Sequence, residues 1–509
     1  MKNFKIHLLL IFSLFLATAC DEEDVLTERL LAERPLPVGN PGSLDLSTYV
    51  ALGNSLTAGF MDGALYTDGQ NLSYPKLLAN QFQTAGVGGG TFNQPDINSV
   101  NGFNSTFSNI AAGVIAGRTE LSLSLLAPVP TQGELPTAYT GDKSALNNFG
   151  VPGIVTAQLL TPLTGTPESP IENPLYTRFA SAPGTSTILG DAIARNPTFF
   201  SLWIGNNDVL GYAITGGNSA LLTSPTDFNT QFNAVISSLM GNTSANGVVI
   251  NIPQTILAIP FFRAIPYNAI PFAANDPTLS VLNGLTAYGG FNAALDGLAA
   301  AGAISASEAA SRKVVFSAGA NPVVIVDDSM ADLGPILSTI NPALASFGQI
   351  RQIASNELVL LSAGRVLGTL ADPNNPASVI GVGVPLADNF VLTVDEIGTA
   401  LQSIVAFNQT MATAVASNSS RLVLYDTNSP TSTFTDLYGL SDGTVGVVEN
   451  GINLLPDFSP NGVFSTDGVH PNPKGSALIA NDIIRLLNDS YDASIPETSV
   501  DAVRSIIFQ

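Results

Sequence analysis

The sequence predicts an α/β fold in which helices wrap a parallel sheet. Four short apolar runs have the length and composition of buried strands, and they lie at residues 48–53, 199–204, 247–252 and 421–425. Segments with apolar residues at helical spacing separate these runs. Because parallel neighbours in a sheet need a long crossover connection, which is usually a helix, this alternation favours a parallel sheet.

Helix patterns follow the first two of these strands. Residues 74–82 are predicted to form a helix after the first strand. Between the second and third strands, apolar residues from 228 to 239 recur at the spacing of one helical face. Gly241 is expected to end that helix, since glycine is the residue that most often caps a helix at its C-terminus.

Two later helices have recognisable starts. Thr393 and Glu396 have the spacing of a capping box, which satisfies backbone N–H groups at the start of a helix. Asn472 followed by Pro473 is typical of an N-cap and a first helical residue. The last helix is therefore predicted to begin there and to run to about Leu487.

Two segments fit the alternation poorly and are interpreted as insertions. Residues 84–139 are rich in glycine, asparagine, serine and threonine. Residues 255–388 contain apolar runs and a predicted helix of their own near residues 305–313. We expect both to interrupt one core domain that spans residues 47–509.

Composition excludes several classes of protein. The chain has 509 residues, 45% hydrophobic and 11% charged, which is too apolar for a disordered chain. Its 18 lysines and arginines against 40 aspartates and glutamates give a net charge of −22. Such a charge repels nucleic-acid phosphates, so no nucleic-acid partner is expected.

The first residues have the pattern of a bacterial lipoprotein signal peptide. Residues 1–19 begin with lysines, continue as an apolar run that is too short to span a bilayer, and end in small residues. Cys20, the only cysteine, follows directly, and the arrangement resembles a lipobox in which Cys20 is lipidated after cleavage. The alternative is an ordinary signal peptide cleaved near an incidental cysteine.

Residues 20–46 are interpreted as a solvated tether. Eight of the fourteen residues at 21–34 are charged, and prolines and glycines follow. An acidic run after a lipidated cysteine resembles a signal for display on the outer surface in some bacteria, whereas Asp21 alone resembles inner-membrane retention in others. The expected location is the cell envelope, anchored through lipid on Cys20, with the outer membrane favoured.

The histidine and cysteine counts limit the chemistry. Of two histidines, His7 lies in the signal peptide, which leaves His470 in the mature chain. A site of several histidines is thereby excluded, as are an intrachain disulfide and a cysteine-based zinc or iron–sulfur site.

Four polar segments stand where a predicted strand ends or a helix begins, which is where an open parallel sheet binds its ligand. They are residues 53–56, 148–153, 205–208 and 467–471. Nucleophilic acyl transfer needs a hydroxyl, a base, a carboxylate that orients the base, and donors for the oxyanion. The four segments contain each of these groups.

The segment at 467–471 carries the most information. Asp467 precedes His470 by three residues in a turn that contains Gly468, so the carboxylate can reach one imidazole nitrogen while the other faces Ser55. The alternative, an incidental histidine on a surface turn, must explain why the mature chain keeps its one histidine in this pattern. Taken singly, Ser55, Asn207 and Gly153 are also common turn or cap residues.

Taken together and in this order, the four segments resemble the sequence blocks of the SGNH/GDSL hydrolases, a family of serine esterases and lipases. The resemblance implies that Ser55 is the nucleophile, with His470 as the base and Asp467 as its carboxylate. It also implies three oxyanion donors, which are the backbone N–H of Ser55, Gly153 and Asn207. No metal or organic cofactor is implied. Asn54 stands where the GDSL motif has aspartate.

The family resemblance also implies a fold and a reaction. The fold is a flavodoxin-like three-layer α/β/α sandwich with about five parallel strands and, in this chain, large insertions. The reaction is hydrolysis of a carboxylic ester, in an acyl lipid or an acylated glycan, through an acyl-enzyme. A surface carbohydrate O-deacylase with the same triad and a non-catalytic lipoprotein that binds glycan or protein are the alternatives.

One apolar stretch, residues 256–272, has two interpretations. Its aromatic and branched residues could line a pocket for an acyl group. More often such a stretch is simply core covered by a loop.

Overall fold

The structure, a computed structural model, describes residues 38–124 and 127–508. The predicted signal peptide, the lipidation site at Cys20 and the charged run at 21–34 lie outside the described residues. Among the helices that the structure describes, none is both long enough and apolar enough to cross a membrane.

A five-stranded sheet forms the centre of the fold, and all its strands are parallel. Its strands are β1 (Tyr49–Gly53), β2 (Asn148–Gly150), β3 (Phe199–Trp203), β4 (Asn246–Ile250) and β5 (Leu422–Tyr425). They lie side by side in the order β5-β4-β3-β1-β2, so the chain changes direction across the sheet between β2 and β3. Every residue of β1, β2 and β3 is buried, as expected of strands that are covered on both faces. The predicted α/β class with a parallel sheet is confirmed.

The longer helices of the core pack in two groups. They are α1 (Tyr74–Phe82), α2 (Ile188–Ala194), α3 (Asn207–Ile214), α4 (Pro225–Asn242), α5 (Val394–Ala416) and α6 (Pro473–Tyr491). Helix α4 contacts α2 and α5, and α5 also contacts α3, whereas α6 contacts α1. This arrangement is compatible with a three-layer α/β fold.

Shorter elements occupy the connections. One-turn to four-turn helices lie at Ser55–Ala58, Thr67–Asn71, Pro174–Thr177, Pro260–Arg263, Thr278–Leu282, Tyr288–Ala300, Ala306–Arg312, Gly334–Ile340 and Thr433–Leu437. Antiparallel pairs join Ala116–Ser122 with Ala127–Gln132, Ile270–Phe272 with Gly319–Asn321, Val324–Val326 with Ile350–Gln352, Leu358–Val359 with Val391–Leu392, and Val447–Glu449 with Ile452–Leu454. Short 3-10 helices lie at Ile110–Ala112, Lys143–Ala145, Thr156–Leu159, Pro162–Gly165, Ser219–Leu221, Gln254–Ala258, Pro342–Phe347, Leu361–Arg365, Asp388–Phe390 and Val500–Ala502.

Both predicted helix starts are confirmed. The Glu396 carboxylate accepts a hydrogen bond from the backbone N–H of Thr393 at 2.7 Å, at the start of α5. The Asn472 side chain accepts from the backbone N–H of Gly475 at 3.1 Å, and Pro473 is the first residue of α6.

Two predicted helix ends are wrong. Gly241 lies inside α4, which ends at Asn242 with Thr243 as its C-cap, because the N–H and hydroxyl of Thr243 both donate to the Leu239 carbonyl and close the last turn there. The last helix continues beyond Leu487 to Tyr491. A pair of hydrogen bonds between the Asn488 side chain and the backbone of Ile495 supports this extra turn.

The segment at 255–388 contributes most of a second hydrophobic core, separate from the core around the sheet. Phe291, Leu295 and Leu337 are completely buried in it. Buried charges are paired there, since Arg351 binds the carboxylate of Glu357 through two nitrogens, each at 2.6 Å. The segment is therefore stabilised largely by contacts of its own.

Candidate active site

The carboxyl ends of three strands meet at one point of the sheet. Gly53, the last residue of β1, lies beside Gly150 of β2 and Trp203 of β3. A Cβ on Gly53 would lie 2.3 Å from the Trp203 carbonyl oxygen, so only glycine fits this close approach. Ser55 follows two residues later, as the first residue of a one-turn helix. Asn54 caps that helix by accepting from the N–H of Leu56 at 3.0 Å.

Ser55, His470 and Asp467 form one hydrogen-bonded chain. Ser55 Oγ lies 2.8 Å from His470 Nε2, and His470 Nδ1 lies 2.9 Å from Asp467 Oδ2. The His470 ring is tilted against the ring of Phe60, with centroids 5.0 Å apart. The structure thus brings together the three residues that the sequence motifs single out, from two ends of the chain.

The turn at 467–470 holds the Asp467 carboxylate firmly. Its Oδ1 accepts from the backbone N–H groups of Val469 and His470 at 2.8 and 2.9 Å, and its Oδ2 accepts from the N–H of Gly63 at 3.0 Å. Gly468 has a φ of +73°, a left-handed conformation that favours glycine. The Asp467 side chain is only 15% exposed.

The surroundings of Asp467 keep it ionised. Burial has the largest single effect and would raise the pKa of the carboxyl. The positive charge of His470, together with the hydrogen bonds from His470 and Val469, outweighs burial and lowers the pKa of Asp467 to about 2. Asp467 is therefore an anion throughout the usual pH range.

Asp62 supports this turn, although the sequence motifs give no sign of it. Its buried carboxylate accepts from the N–H and the hydroxyl of Thr466 at 3.0 and 2.9 Å, and from the Tyr66 hydroxyl at 2.7 Å. Burial and then the charge of Asp467 raise the pKa of Asp62, against the lowering effect of the hydrogen bonds from Tyr66 and Thr466. The loop that follows Ser55 is thus tied to the loop that carries Asp467.

The backbone of Asp62 makes the same connection. Its N–H donates to the Ser465 hydroxyl at 3.0 Å, and its φ of +56° is unusual for a residue other than glycine. The Asp-Gly pair at 62–63 signals a turn in the sequence. A local pattern cannot reveal that the carboxylate of this turn is buried against a segment 400 residues later.

Asn207 is the first residue of α3, and it lines one pocket together with Ser55 and His470. The Asn207 side-chain amide donates one hydrogen bond to the Ile154 carbonyl at 2.9 Å. Gly153, with a φ of +81°, precedes Ile154 and is exposed, with open space where a Cβ would be. Gly153 is not among the described residues that line this pocket, so the structure brings Asn207 into the pocket wall with Ser55 but not Gly153.

Asp208 holds the segment after Gly153 against α3. One oxygen of its buried carboxylate accepts from both the N–H and the hydroxyl of Thr156 at 2.9 Å, and the other accepts from the Thr223 hydroxyl at 2.8 Å. Burial, opposed by these hydrogen bonds, raises the pKa of Asp208 to about 6. Asp208 is thus more than a carboxylate at the start of a helix, since it fixes the loop that Asn207 also contacts.

The pocket beside Ser55 is largely apolar. Its walls come from the sheet, from α3 and α6, from the segment after β4, and from the segments around 434 and 463. Apolar residues in these walls include Trp203, Leu210, Ile256, Ile259, Phe434, Leu437, Val463, Phe464 and Ile479. The apolar stretch at 256–272 lies partly in the pocket wall and partly in the core. Ile256 and Ile259 line the pocket, whereas Phe262 is buried in the core.

A second cavity also borders His470. Phe60, Phe107, Phe261 and Arg365 line it, together with Asp467 and His470. The segment at 255–388 therefore supplies walls to both cavities that border His470.

Among the described residues, one group of carboxylates lies close enough to share a cation. Asp328, Asp388 and Glu396 each bring an oxygen within 4.8 Å of the others. Glu396 is already engaged at the start of α5, where it accepts from Thr393. Acidic side chains near a surface commonly cluster without binding a metal, and this group carries no assignment.

Comparisons with protein-family models, with curated proteins and with solved structures found no match to this chain. The family resemblance and the roles it implies for Ser55, His470, Asp467, Asn207 and Gly153 therefore stay predictions.

The raised pKa of Asp208 predicts a pH-dependent stability. In the unfolded chain the carboxyl ionises at about pH 4, whereas in the folded protein it ionises only near pH 6, so its ionisation opposes folding in that interval. Relative to the parent, Asp208→Asn should therefore gain about 3 kcal/mol of unfolding free energy between about pH 4 and pH 7. Urea unfolding at several pH values measures this difference. Stability curves that stay parallel across the interval would contradict the assignment.

Proposed function

We propose that the protein hydrolyses carboxylic esters through a serine acyl-enzyme. This is the mechanism of the SGNH/GDSL hydrolases, whose sequence motifs this chain resembles. The observation that carries the proposal is the hydrogen-bonded chain from Ser55 through His470 to Asp467. A serine hydroxyl is a weak nucleophile unless a base lies within hydrogen-bond reach, and the base works best when a third group orients it. Both distances have the values of ordinary hydrogen bonds.

In the proposed reaction, His470 Nε2 takes the proton of Ser55 while Oγ attacks the ester carbonyl carbon. The tetrahedral intermediate then breaks its bond to the alcohol, which leaves with the proton from His470, and an acyl-enzyme remains. Water attacks the acyl carbon as it gives a proton to His470. Ser55 recovers that proton when the acid departs, and Asp467 balances the imidazolium charge throughout.

Three donors are assigned to the oxyanion, namely the backbone N–H of Ser55, the backbone N–H of Gly153 and the side-chain amide of Asn207. The position of Asn207 in the pocket with Ser55 supports its role. An amide has two N–H donors, and the Ile154 carbonyl uses one of them, which leaves the other for the oxyanion.

The order of the strands supports a flavodoxin-like sandwich. Numbered along the chain, the five strands of the sheet lie in the order 2-1-3-4-5, which is the order of that fold. In such sheets the ligand site lies where the strand order reverses, between the first and third strands. Ser55 follows β1 and Asn207 follows β3, so the proposed site agrees with this rule.

The proposed substrate is an ester with at least one apolar arm, in an acyl lipid or an acylated glycan. The apolar walls beside Ser55 support such an arm. A carbohydrate O-deacylase would differ only in the alcohol it releases. A non-catalytic binding protein is disfavoured, because it would have no need of a complete Ser-His-Asp chain.

We also propose that the chain is lipid-anchored through Cys20 in the bacterial envelope, with the outer membrane favoured. Support for this comes from the sequence pattern of residues 1–34 alone.

The nucleophile can be tested directly. Ser55→Ala should abolish ester hydrolysis and covalent labelling by a fluorophosphonate while leaving the thermal unfolding temperature close to that of the parent. Ser237→Ala, on the exposed face of α4, is the control and should keep both activities. Equal labelling of Ser55→Ala and the parent would refute the assignment.

The oxyanion donor gives a second test. Asn207→Ala should lower kcat roughly a hundredfold to a thousandfold, with a smaller change in KM, because the lost donor acts mainly on the transition state. Steady-state kinetics on one p-nitrophenyl ester would measure both constants. If kcat stayed within a few fold of the parent, Asn207 would not be an oxyanion donor.

The acidic limb of the pH–rate profile should follow a single proton. Asp467 is ionised above about pH 2, and the mature chain has one histidine, so protonation of His470 is expected to stop catalysis on its own. Asp208→Asn should leave this limb unchanged, which would show that the limb does not report the raised pKa of Asp208.

Asp467→Asn should lower kcat roughly ten-thousandfold, since the imidazole loses its orienting anion. Parental kcat in that variant would exclude the proposed triad.

A further inference from the structure

Two cavities border His470, and their walls differ in charge. The pocket beside Ser55 has no lysine, arginine, aspartate or glutamate among the described residues that line it. The second cavity, of about 450 Å³, contains two such side chains, Asp467 and Arg365, among aromatic residues. The two cavities therefore suit groups of different chemistry.

Two contacts hold Arg365 at the wall of the second cavity. Its guanidinium carbon lies over the ring of Phe107, 4.1 Å from the ring centroid, and its Nη1 donates to the Thr106 carbonyl at 3.2 Å. Thr106 and Phe107 line the same cavity. Stacking on an aromatic face orients a guanidinium without removing its charge, so Arg365 is already arranged to receive a ligand.

The two predicted insertions meet at this arginine. Arg365 is the last residue of the 3-10 helix Leu361–Arg365 in the segment 255–388, whereas Thr106 and Phe107 belong to the segment 84–139. The cation thus comes from outside the core that carries the strands of the sheet.

The charge of Arg365 is accessible, and it has no carboxylate partner within the described part of the chain. Arg118, Arg351 and Arg504, by comparison, each form an ion pair with a carboxylate. A guanidinium has five N–H donors, and the hydrogen bond to Thr106 uses one of them. The remaining donors form a fork that matches the oxygens of an anion.

Asp467 does not cancel this preference for an anion. Three backbone N–H groups and the ring of His470 already contact its two oxygens at hydrogen-bond distance. When His470 becomes protonated in the proposed reaction, the imidazolium offsets the charge of Asp467. Arg365 then remains as the net charge of the cavity wall.

We propose that the second cavity binds an arm of the ester that carries an anionic group, and that Arg365 recognises this group. The apolar pocket beside Ser55 holds the other arm. This inference rests on the proposed ester hydrolysis, in which the ester bond lies against Ser55 and His470 and each arm enters one of the two cavities that border His470. It narrows the substrate class to esters with one apolar arm and one anionic arm.

The anionic arm has two possible sources. One is an acidic alcohol, such as an acidic sugar, that carries an apolar acyl chain. The other is a dicarboxylic acid that is esterified to an apolar alcohol. The shared chemistry is the anion, and the test separates the two sources.

The test compares esters that differ by one charge. In the acyl series, monopentyl esters of succinic, glutaric and adipic acid are paired with esters in which a primary amide replaces the free carboxylate. In the alcohol series, hexanoyl esters of terminal hydroxy acids of four, five and six carbons are paired with their amides. For each pair, kcat/KM is measured at a pH where the carboxylate is ionised. Comparing the carboxylate-to-amide ratio between parent and variant cancels the intrinsic reactivity of each ester.

Three variants are compared with the parent. Arg365→Gln removes the charge, and Arg365→Lys keeps the charge without the fork. Arg195→Gln is the matched control, because Arg195 is also exposed, donates to one backbone carbonyl, that of Ser144 at 2.9 Å, and lines neither cavity.

For at least one chain length, Arg365→Gln should lower the carboxylate-to-amide ratio about tenfold, mainly by raising KM for the carboxylate. Arg365→Lys should give a ratio between those of Arg365→Gln and the parent, and Arg195→Gln should keep the parental ratio. The series in which the ratio falls identifies the anionic arm. If Arg365→Gln fails to fold, Arg365→Lys carries the test, since an ammonium cannot bind two oxygens as a fork does.

Ratios that no folded Arg365 variant lowers further than Arg195→Gln does, with the amide esters still hydrolysed, would overturn the inference and leave the proposed function standing. Arg365 would then only join the two insertions. Failure of the parent to hydrolyse any of the esters faster than Ser55→Ala would instead overturn the proposed function and this inference with it.

Discussion

A largely buried negative charge on Asp467 is the constraint on which the rest of the site depends. Removing a carboxylate from water is unfavourable unless hydrogen bonds and an opposite charge replace the lost hydration. Here the replacement comes from the loop after Ser55, through Gly63, and from the turn that carries His470. Because both loops must be in place for Asp467 to be stable as an anion, forming the site and folding these loops are one event.

The central sheet makes this convergence possible. Parallel strands end at the same edge, so segments that are far apart in the chain meet beyond the ends of β1, β2 and β3. Gly53 allows close contact between two of these strands, and Asp208 fixes the loop after β2 against α3. The sheet supplies rigid positions, whereas the connecting segments supply the polar groups and the apolar walls around them.

Much of this arrangement was predictable, because local patterns carry it. Apolar runs and caps located four of the five core strands and the starts of α5 and α6, and the Asp-x-x-His turn predicted the contact between Asp467 and His470; the three-residue strand β2 has no apolar run of its own. Long-range contacts were beyond such patterns. The role of Asp62 depends on Thr466, 404 residues later. The helix ends at Gly241 and Leu487 were misjudged because side chains beyond them add hydrogen bonds.

The separate core of the 255–388 segment has a consequence for how this molecule can change. That segment supplies parts of the walls of both cavities that border His470, yet its own packing holds most of it together. Substitutions inside it can reshape the walls while the hydrogen bonds among Ser55, His470 and Asp467 stay intact. Selection can therefore change which molecules the cavities admit almost independently of the three residues of the hydrogen-bonded chain.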